Sequence, residues 1–460
     1  MKITLIGGGS VKSTQFISAL LRRADFPAVD EFCLMDIDSH KLEVMGTLCG
    51  AIVETAWRPI RVTTTTDPHV AFSGADYVIT TIRVGGDDAR VLDERIALEH
   101  RVLGQETTGP GGFAMAMRSI PAILEYAKIL RQENPNAWMF NFTNPSGLVT
   151  QALYDQGFDR VIGICDSANN AQNALAAYCG VPADRLRAEL FGLNHLSWTR
   201  KVKFDGMDEL PRFLQDDRAV AASTMGMFEP SLVHQLGMYL NEYLFYYYYS
   251  ERALASILKA AKTRGEEVRE ISERLWKQLD ESDPQTNPRA ALDLIASATR
   301  RREATYMHYS KANSPSLEQA DRDLAAGRYA TPVEGDGYAG VVLDIIQAME
   351  SGRTLYTGLN VPNRGAIACM RDDDIVEVSC EVDQNGVRSL LIGEIPEHQE
   401  LLMRSVKRYE RLAVEAILNR SRETAAAALM SHPLVMSYSL GHVLIDEYLL
   451  AHRRYVGDWA

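Results

Sequence analysis

The chain has 460 residues, 46% hydrophobic and 24% charged, enough to bury at least one large core and read here as two joined lobes. A net charge of -13 excludes a broad electrostatic grip on nucleic acid or anionic lipid, so an anionic substrate must meet a local cluster of arginines. Six scattered cysteines without paired spacing fit reduced thiols in a cytoplasmic protein; neither a signal-type N-terminus nor a membrane span is expected.

The elements follow in chain order. A short apolar strand, Ile3 to Ile6, runs into Gly7-Gly8-Gly9-Ser10, and a helix pattern begins after it. Further strands are predicted at Glu31 to Met35, Tyr77 to Ile82, Ala137 to Asn141 and Val161 to Cys165, alternating with helical stretches in the manner of βαβ units. Between them, Gly104 to Gly112 reads as a loop too glycine-rich to pack as a helix. A helix over 168 to 179 leads into strands within Glu189 to Phe204, then long helical stretches around 230 to 280. The segment 311 to 335 reads as a loop or cover. Ile375 to Val382 and Val387 to Ile392 flank Asn385-Gly386, a hairpin signal. The last sixty residues look helical, with Leu401, Val406, Leu412, Ala416 and Leu418 inward. The expected fold class is α/β: a Rossmann-type, doubly wound parallel sheet over 1–165 and an α+β domain over 166–460.

Glycine at the first turn lets the backbone approach a pyrophosphate at a helix N-terminus, which points to Gly7 and Gly9, with the Ser10 hydroxyl as a further donor. Asp36 ends the second strand, where a carboxylate accepts from a ribose diol and favours NAD over its 2′-phosphorylated form. Lys12 occupies the place of the third glycine, so the residues alone also allow a nucleotide-free turn with Asp36 as a helix cap. Asn144, just after a strand, is placed to hold a hydroxyl or carbonyl. Cys165 and His195 could share a divalent metal or could be ordinary core residues; their spacing leaves both open.

Taken in order, Gly7 to Ser10, Arg83 to Gly86 with Arg90 to Arg95, Gly104 to Gly112, Asn141 to Gly147, Gly163 to Asp166 and Phe191 to His195 resemble glycoside hydrolase family 4, nearest its 6-phospho-β-glucosidase branch. The resemblance implies a C-terminal domain like that of lactate and malate dehydrogenases, and glycoside hydrolysis by NAD-assisted oxidation at sugar C3, removal of the C2 proton, elimination and water addition. It further implies Cys165 and His195 as ligands of Mn2+ or another divalent metal, Tyr243 as the C2 base and Asp166 as acid to the leaving group. Arg83 would join the cofactor site, and Arg90 and Arg264 would hold a sugar phosphate. The implied partner is a small phosphorylated sugar, with no nucleic acid or membrane, in a homodimer or homotetramer.

Two departures stand out. β-type members commonly carry Cys-Asn-x-Pro and α-type members Cys-Asp-x-Pro, whereas this chain reads Cys165-Asp166-Ser167-Ala168, leaving the anomer open and the turn without its proline. The run Val11-Lys12-Ser13-Thr14 also differs from the usual continuation of phospho-specific members. Competing readings are a hydroxy-acid dehydrogenase of the lactate or malate type, a family 4 enzyme acting on unphosphorylated glycosides, and a non-catalytic NAD sensor.

Overall fold

The computed structural model describes residues 1–307, 310, 322 and 336–460; apart from residue 322, the predicted loop over 311–335 lies outside them. The chain forms two compact units that interleave along the sequence: Met1–Leu92, Ala122–Phe140 and Ala255–Leu343 make the first, and Asp93–Pro121, Asn141–Leu254 and Asp344–Ala460 the second. The predicted boundary between 165 and 166 falls within the Asn141–Leu254 segment of the second unit. The helices Arg264–Ser282 and Pro288–Ala304 belong with the N-terminal strands because they pack on the helix Ser39–Glu54, where His40 bonds Asp280 at 2.8 Å and Lys41 lies over the Trp276 ring.

In the first unit, β1 (Lys2–Ile6), β2 (Glu31–Met35), β3 (Arg61–Thr65), β4 (Tyr77–Thr80) and the start of β5 (Trp138–Asn141) lie in the order β5-β4-β1-β2-β3. β1 pairs in parallel with β2 and β4, and β2 with β3. The order reverses about β1, the doubly wound arrangement, which opens a crevice at that strand's carboxyl end. The central strands are buried on both faces and read as continuous apolar runs: Leu5, Leu34 and Ile79 are fully buried. β3 was not foreseen. Its Arg-Val-Thr-Thr-Thr sequence has one apolar residue, and as an edge strand it needs no more.

The second unit holds β6 (Val161–Gly163), β7 (Leu186–Leu193), β8 (Leu196–Phe204), β9 (Met207–Asp208), β10 (Tyr239–Leu240), β11 (Leu355–Pro362), β12 (Ile375–Asp383) and β13 (Gly386–Ser389). β6, β11, β12 and β13 are neighbours in that order, paired antiparallel. The predicted Asn385-Gly386 hairpin is present, with Asp383 opposite Gly386 and Gly386 at φ +103°. β7 and β8 form a second hairpin in which Leu193 pairs with Leu196, leaving Asn194 and His195 as its two turn residues.

Two expectations are corrected. Gly109 does not belong to a loop that ends at Gly112 but starts the helix Gly109–Glu133. A Cβ on Gly111 would sit 2.3 Å from the Gln105 carbonyl oxygen, so glycine there lets the preceding loop lie directly on the first helical turn. In the helix Glu397–Asn419, Val406, Leu412 and Ala416 are buried as expected, but Leu401 is 63% and Leu418 36% exposed. The inward stripe instead includes Lys407 and Glu410, a fully buried ion pair, so polarity misstates its phase. No helix among the described residues is long and apolar enough to cross a membrane.

Candidate active site

The glycine turn of the first unit is built for close approach. Gly7 and Gly8 both donate to the Met35 carbonyl at 2.9 Å, and a Cβ on Gly8 would meet Leu34 at 2.8 Å. Gly7 holds φ +88° against Thr81, as only glycine does without strain. Asp36 accepts from the Gly9 amide at 2.9 Å and the Asp38 amide at 3.1 Å, so its carboxylate is fixed between turn and second strand, half-buried. Ser10 accepts from the Lys12 amide at 3.3 Å beside the helix Lys12–Arg22. The Lys12 ammonium lies 3.9 Å over the Tyr338 ring. Arg83 stands 3.9 Å from Asp87.

Arg90 and Arg264 come together in the same unit. Arg90 is 4% exposed on the helix Gly86–Glu99, while Arg264 opens its helix behind the Thr263 N-cap. The Arg264 guanidinium donates to the Arg302 carbonyl at 2.6 Å, contacts the Thr305 hydroxyl and pairs with Glu267 at 3.4 Å. Burial first, then the neighbouring Arg90 and Arg302, lower its pKa to about 10. It stays charged at neutral pH, and a cluster of three cations draws an anion.

The second unit contains the remaining predicted residues. Cys165 lies two residues beyond β6, just before the turn Asp166–Asn169, and is 5% exposed; burial, then Glu377, Asp166 and Glu242, push its thiol well above the usual range. A sulfur among three carboxylates is a setting short of positive charge, which a divalent cation would supply while binding the thiolate. Among the described residues no three His, Cys, Asp or Glu side chains form a metal cage, so an ion held by Cys165 and His195 would draw further oxygens from a ligand.

His195 is held at φ +62° in its turn and is 4% exposed. Its Nδ1 lies 2.9 Å from the Thr107 hydroxyl, whose amide and hydroxyl both donate to Gln105 Oε1, at 2.7 and 3.0 Å. With the hydroxyl proton given to Gln105, the Thr107 oxygen accepts from Nδ1–H, and the lone pair of Nε2 is left for a metal. Burial holds the imidazole neutral, its pKa pushed down to about 3. Its ring stacks on Tyr243, with centroids 3.7 Å apart and planes 5° from parallel.

Asp166 is half-buried at the start of the short turn Asp166–Asn169, accepting from the Ser167 amide at 3.0 Å, with the Cys165 sulfur at 3.9 Å. Asn144 is half-buried after β5. Asn194, beside His195, accepts from the Gly147 amide at 3.4 Å.

Sequence reasoning missed Glu377, Glu242 and the role of Thr107. Glu377 is fully buried on β12 and accepts from Asn194, Ser197 and Asn360 at 3.4, 2.7 and 3.2 Å, gripping the chain on both sides of His195. Burial raises its pKa to about 7. One signal was available: a lone glutamate in the run Ile375-Val376-Glu377-Val378 is costly to bury without a task.

Residues 2–181 match the family 4 glycosyl hydrolase model, and residues 190–435 match its C-terminal domain model. The chain belongs to family 4 of the glycosyl hydrolases. It is 32% identical over 465 residues to a probable 6-phospho-beta-glucosidase of Bacillus subtilis, covering 99% of this chain and 97% of that one. It is 27% identical to the phospho-alpha-glucosidase PagL of Clostridium acetobutylicum, over 98% of both. The structure of the 6-phospho-beta glucosidase from Thermotoga maritima with manganese, NAD+ and glucose-6-phosphate superposes with a TM-score of 0.82 at 27% identity, covering 100% of both chains.

Proposed function

We propose that the protein hydrolyses 6-phospho-glucosides, with the β anomer favoured, using NAD and Mn2+ or a similar divalent ion. The observation that carries this reading is the stacking of His195 on Tyr243, with His195 Nδ1 bonded to the Thr107 hydroxyl, in a chain of this family. NAD and the metal, when bound, supply reversible hydride transfer at C3 and charge stabilisation at the sugar's O2 and O3.

The chain's own residues do the rest. Gly7, Gly9, Ser10, Asp36 and Arg83 bind the dinucleotide; Cys165 and His195 hold the ion. Arg90 and Arg264 bind the phosphate, Asn144 a sugar hydroxyl. Tyr243 removes the C2 proton and Asp166 protonates the departing aglycone oxygen. Relatives named 6-phospho-beta-glucosidase and 6-phospho-alpha-glucosidase support the 6-phosphate, and the cluster of buried Arg90, half-buried Arg264 and exposed Arg302 supplies its counter-charge. The six free thiols suit a cytoplasmic setting, and a homodimer or homotetramer completes the reading.

The test is incubation with p-nitrophenyl 6-phospho-glucosides of each anomer, NAD, Mn2+ and a reductant. Release of p-nitrophenol without net NADH, faster on the β anomer, is the expected result. NADH accumulating on a hydroxy acid instead would establish a dehydrogenase.

A further inference from the structure

Glu242 stands immediately before Tyr243 in the short turn Glu242–Leu244 and is 4% exposed. Its carboxylate is occupied at both oxygens: Oε1 accepts from the Ser167 hydroxyl at 2.6 Å and Oε2 from the Asn170 side-chain amide at 2.9 Å. Those donors belong to the turn Asp166–Asn169 and the residue that closes it. One side chain therefore grips the turn that begins with Asp166, while its own backbone carries Tyr243.

The opposite side of the turn is fixed as well. Asn169 Oδ1 accepts from the Gly358 amide at 2.8 Å and the Thr357 hydroxyl at 3.1 Å, both on β11. β11 lies so near that a Cβ on Gly358 would fall 3.0 Å from the Ala168 Cβ. The turn cannot settle toward β11, and Glu242 sets where it stops on the other face. Tyr243 is itself oriented through its amide, which donates to Asn241 Oδ1 at 3.0 Å, and through its ring on His195.

We propose that Glu242 is a positioning residue that keeps Asp166 and Tyr243 in register, so that the acid and the base address one bound sugar. The inference rests on the roles assigned above to those two residues. A buried carboxylate is costly, and fold alone would be served as well by an apolar side chain of similar size. Two directional bonds to one short turn specify a position, which apolar packing does not. A displacement of about 1 Å between reacting groups costs on the order of 100-fold in rate.

The experiment uses the full-length protein with NAD, Mn2+ and p-nitrophenyl 6-phospho-glucoside. Glu242→Ala is expected to lower kcat about 100-fold while KM, Mn2+ affinity and the melting temperature stay close to the starting protein. Glu242→Gln turns an amide toward the Asn170 amide and should lose about tenfold; adding Asn170→Asp restores a donor to an acceptor and should recover most of that loss. Ser167→Ala, which removes one bond and leaves the carboxylate, should cost several-fold in kcat and supplies the test if Glu242→Ala does not fold. C2 deuterium exchange with solvent should fall in step with kcat. Full kcat in Glu242→Ala or Ser167→Ala overturns the proposal, as does a double variant no better than Glu242→Gln alone. An inactive starting protein would instead sink the assigned reaction.

Discussion

The imidazole of His195 lies flat on the ring of Tyr243, 3.7 Å between centroids, so the proposed metal ligand and the proposed base support one another's orientation. Their two functions should separate by mutation. Tyr243→Phe keeps the stacked ring and removes the phenol, so kcat should fall by about 100- to 10,000-fold, the usual loss of a general base, with Mn2+ affinity unchanged. Tyr243→Ala should also weaken Mn2+ binding. Titration of Mn2+ by electron paramagnetic resonance reads the second quantity without turnover. Equal Mn2+ affinity in both variants would show that the stacking does not matter to the ligand.

The orientation of His195 comes from two further sources, Thr107 at Nδ1 and Glu377 on the flanking Asn194 and Ser197. Groups that orient a metal ligand are worth about 10- to 100-fold in metal affinity. Thr107→Val removes the acceptor for Nδ1–H at nearly constant volume and should weaken Mn2+ within that range, with NAD affinity retained. Glu377→Gln places an amide among three donors and should do the same. Unchanged Mn2+ binding in both would remove the ion from His195.

Much of this was legible before the structure, for identifiable reasons. Strands β1, β2 and β4 are buried on both faces, so apolar runs mark them, and Asp36 directly follows β2 as the doubly wound pattern requires. The edge strand β3 and the Gly109 helix start were missed because neither is encoded by apolar periodicity: threonines on an exposed edge and glycines under a packed loop look alike as loop. Thr107, Glu242 and Glu377 were missed because each acts through another residue across 75 to 180 positions, as with Glu242 to Ser167 and Glu377 to Ser197. Pattern reading resolves what a side chain is, and seldom what it holds.

The arginine cluster gives a substrate prediction. A hydrogen bond to a charged group is worth about 1.5–3 kcal/mol, or roughly 10- to 150-fold. Arg264→Ala should lower kcat/KM on the 6-phosphorylated glucoside within that range. It should leave the slow turnover of the unphosphorylated glucoside unaltered. Equal losses on both substrates would place Arg264 in the fold alone, through its bonds to Glu267 and the Arg302 carbonyl.

Asp166 can be tested through the leaving group. If it protonates the aglycone oxygen, Asp166→Asn should matter most for a basic alkyl aglycone, with a loss of about 100- to 10,000-fold, and least for p-nitrophenol, which departs readily as an anion. Parallel loss with both aglycones would mean that Asp166 serves the turn through its bond to the Ser167 amide and has no part in proton transfer.

Acid should destabilise the fold through a histidine outside the chemistry. His432 is 1% exposed, edge-on to Tyr409 at 4.7 Å and 6.0 Å from Tyr247, and its Nδ1 accepts from the Leu434 amide, which requires the neutral ring. Burial lowers its pKa to about 3. The unfolded chain takes up a proton near pH 6.5 that the folded chain refuses, so stability is full above pH 6.5 and falls as pH drops from there toward 3. Between pH 6.5 and 5 this amounts to about 2 kcal/mol. His432→Gln carries no such proton and should lose correspondingly less over that interval in urea unfolding. His195 titrates with the same sign in both proteins, so the difference between them isolates His432. Identical pH slopes would mean that the His432 ring is protonated in the folded state.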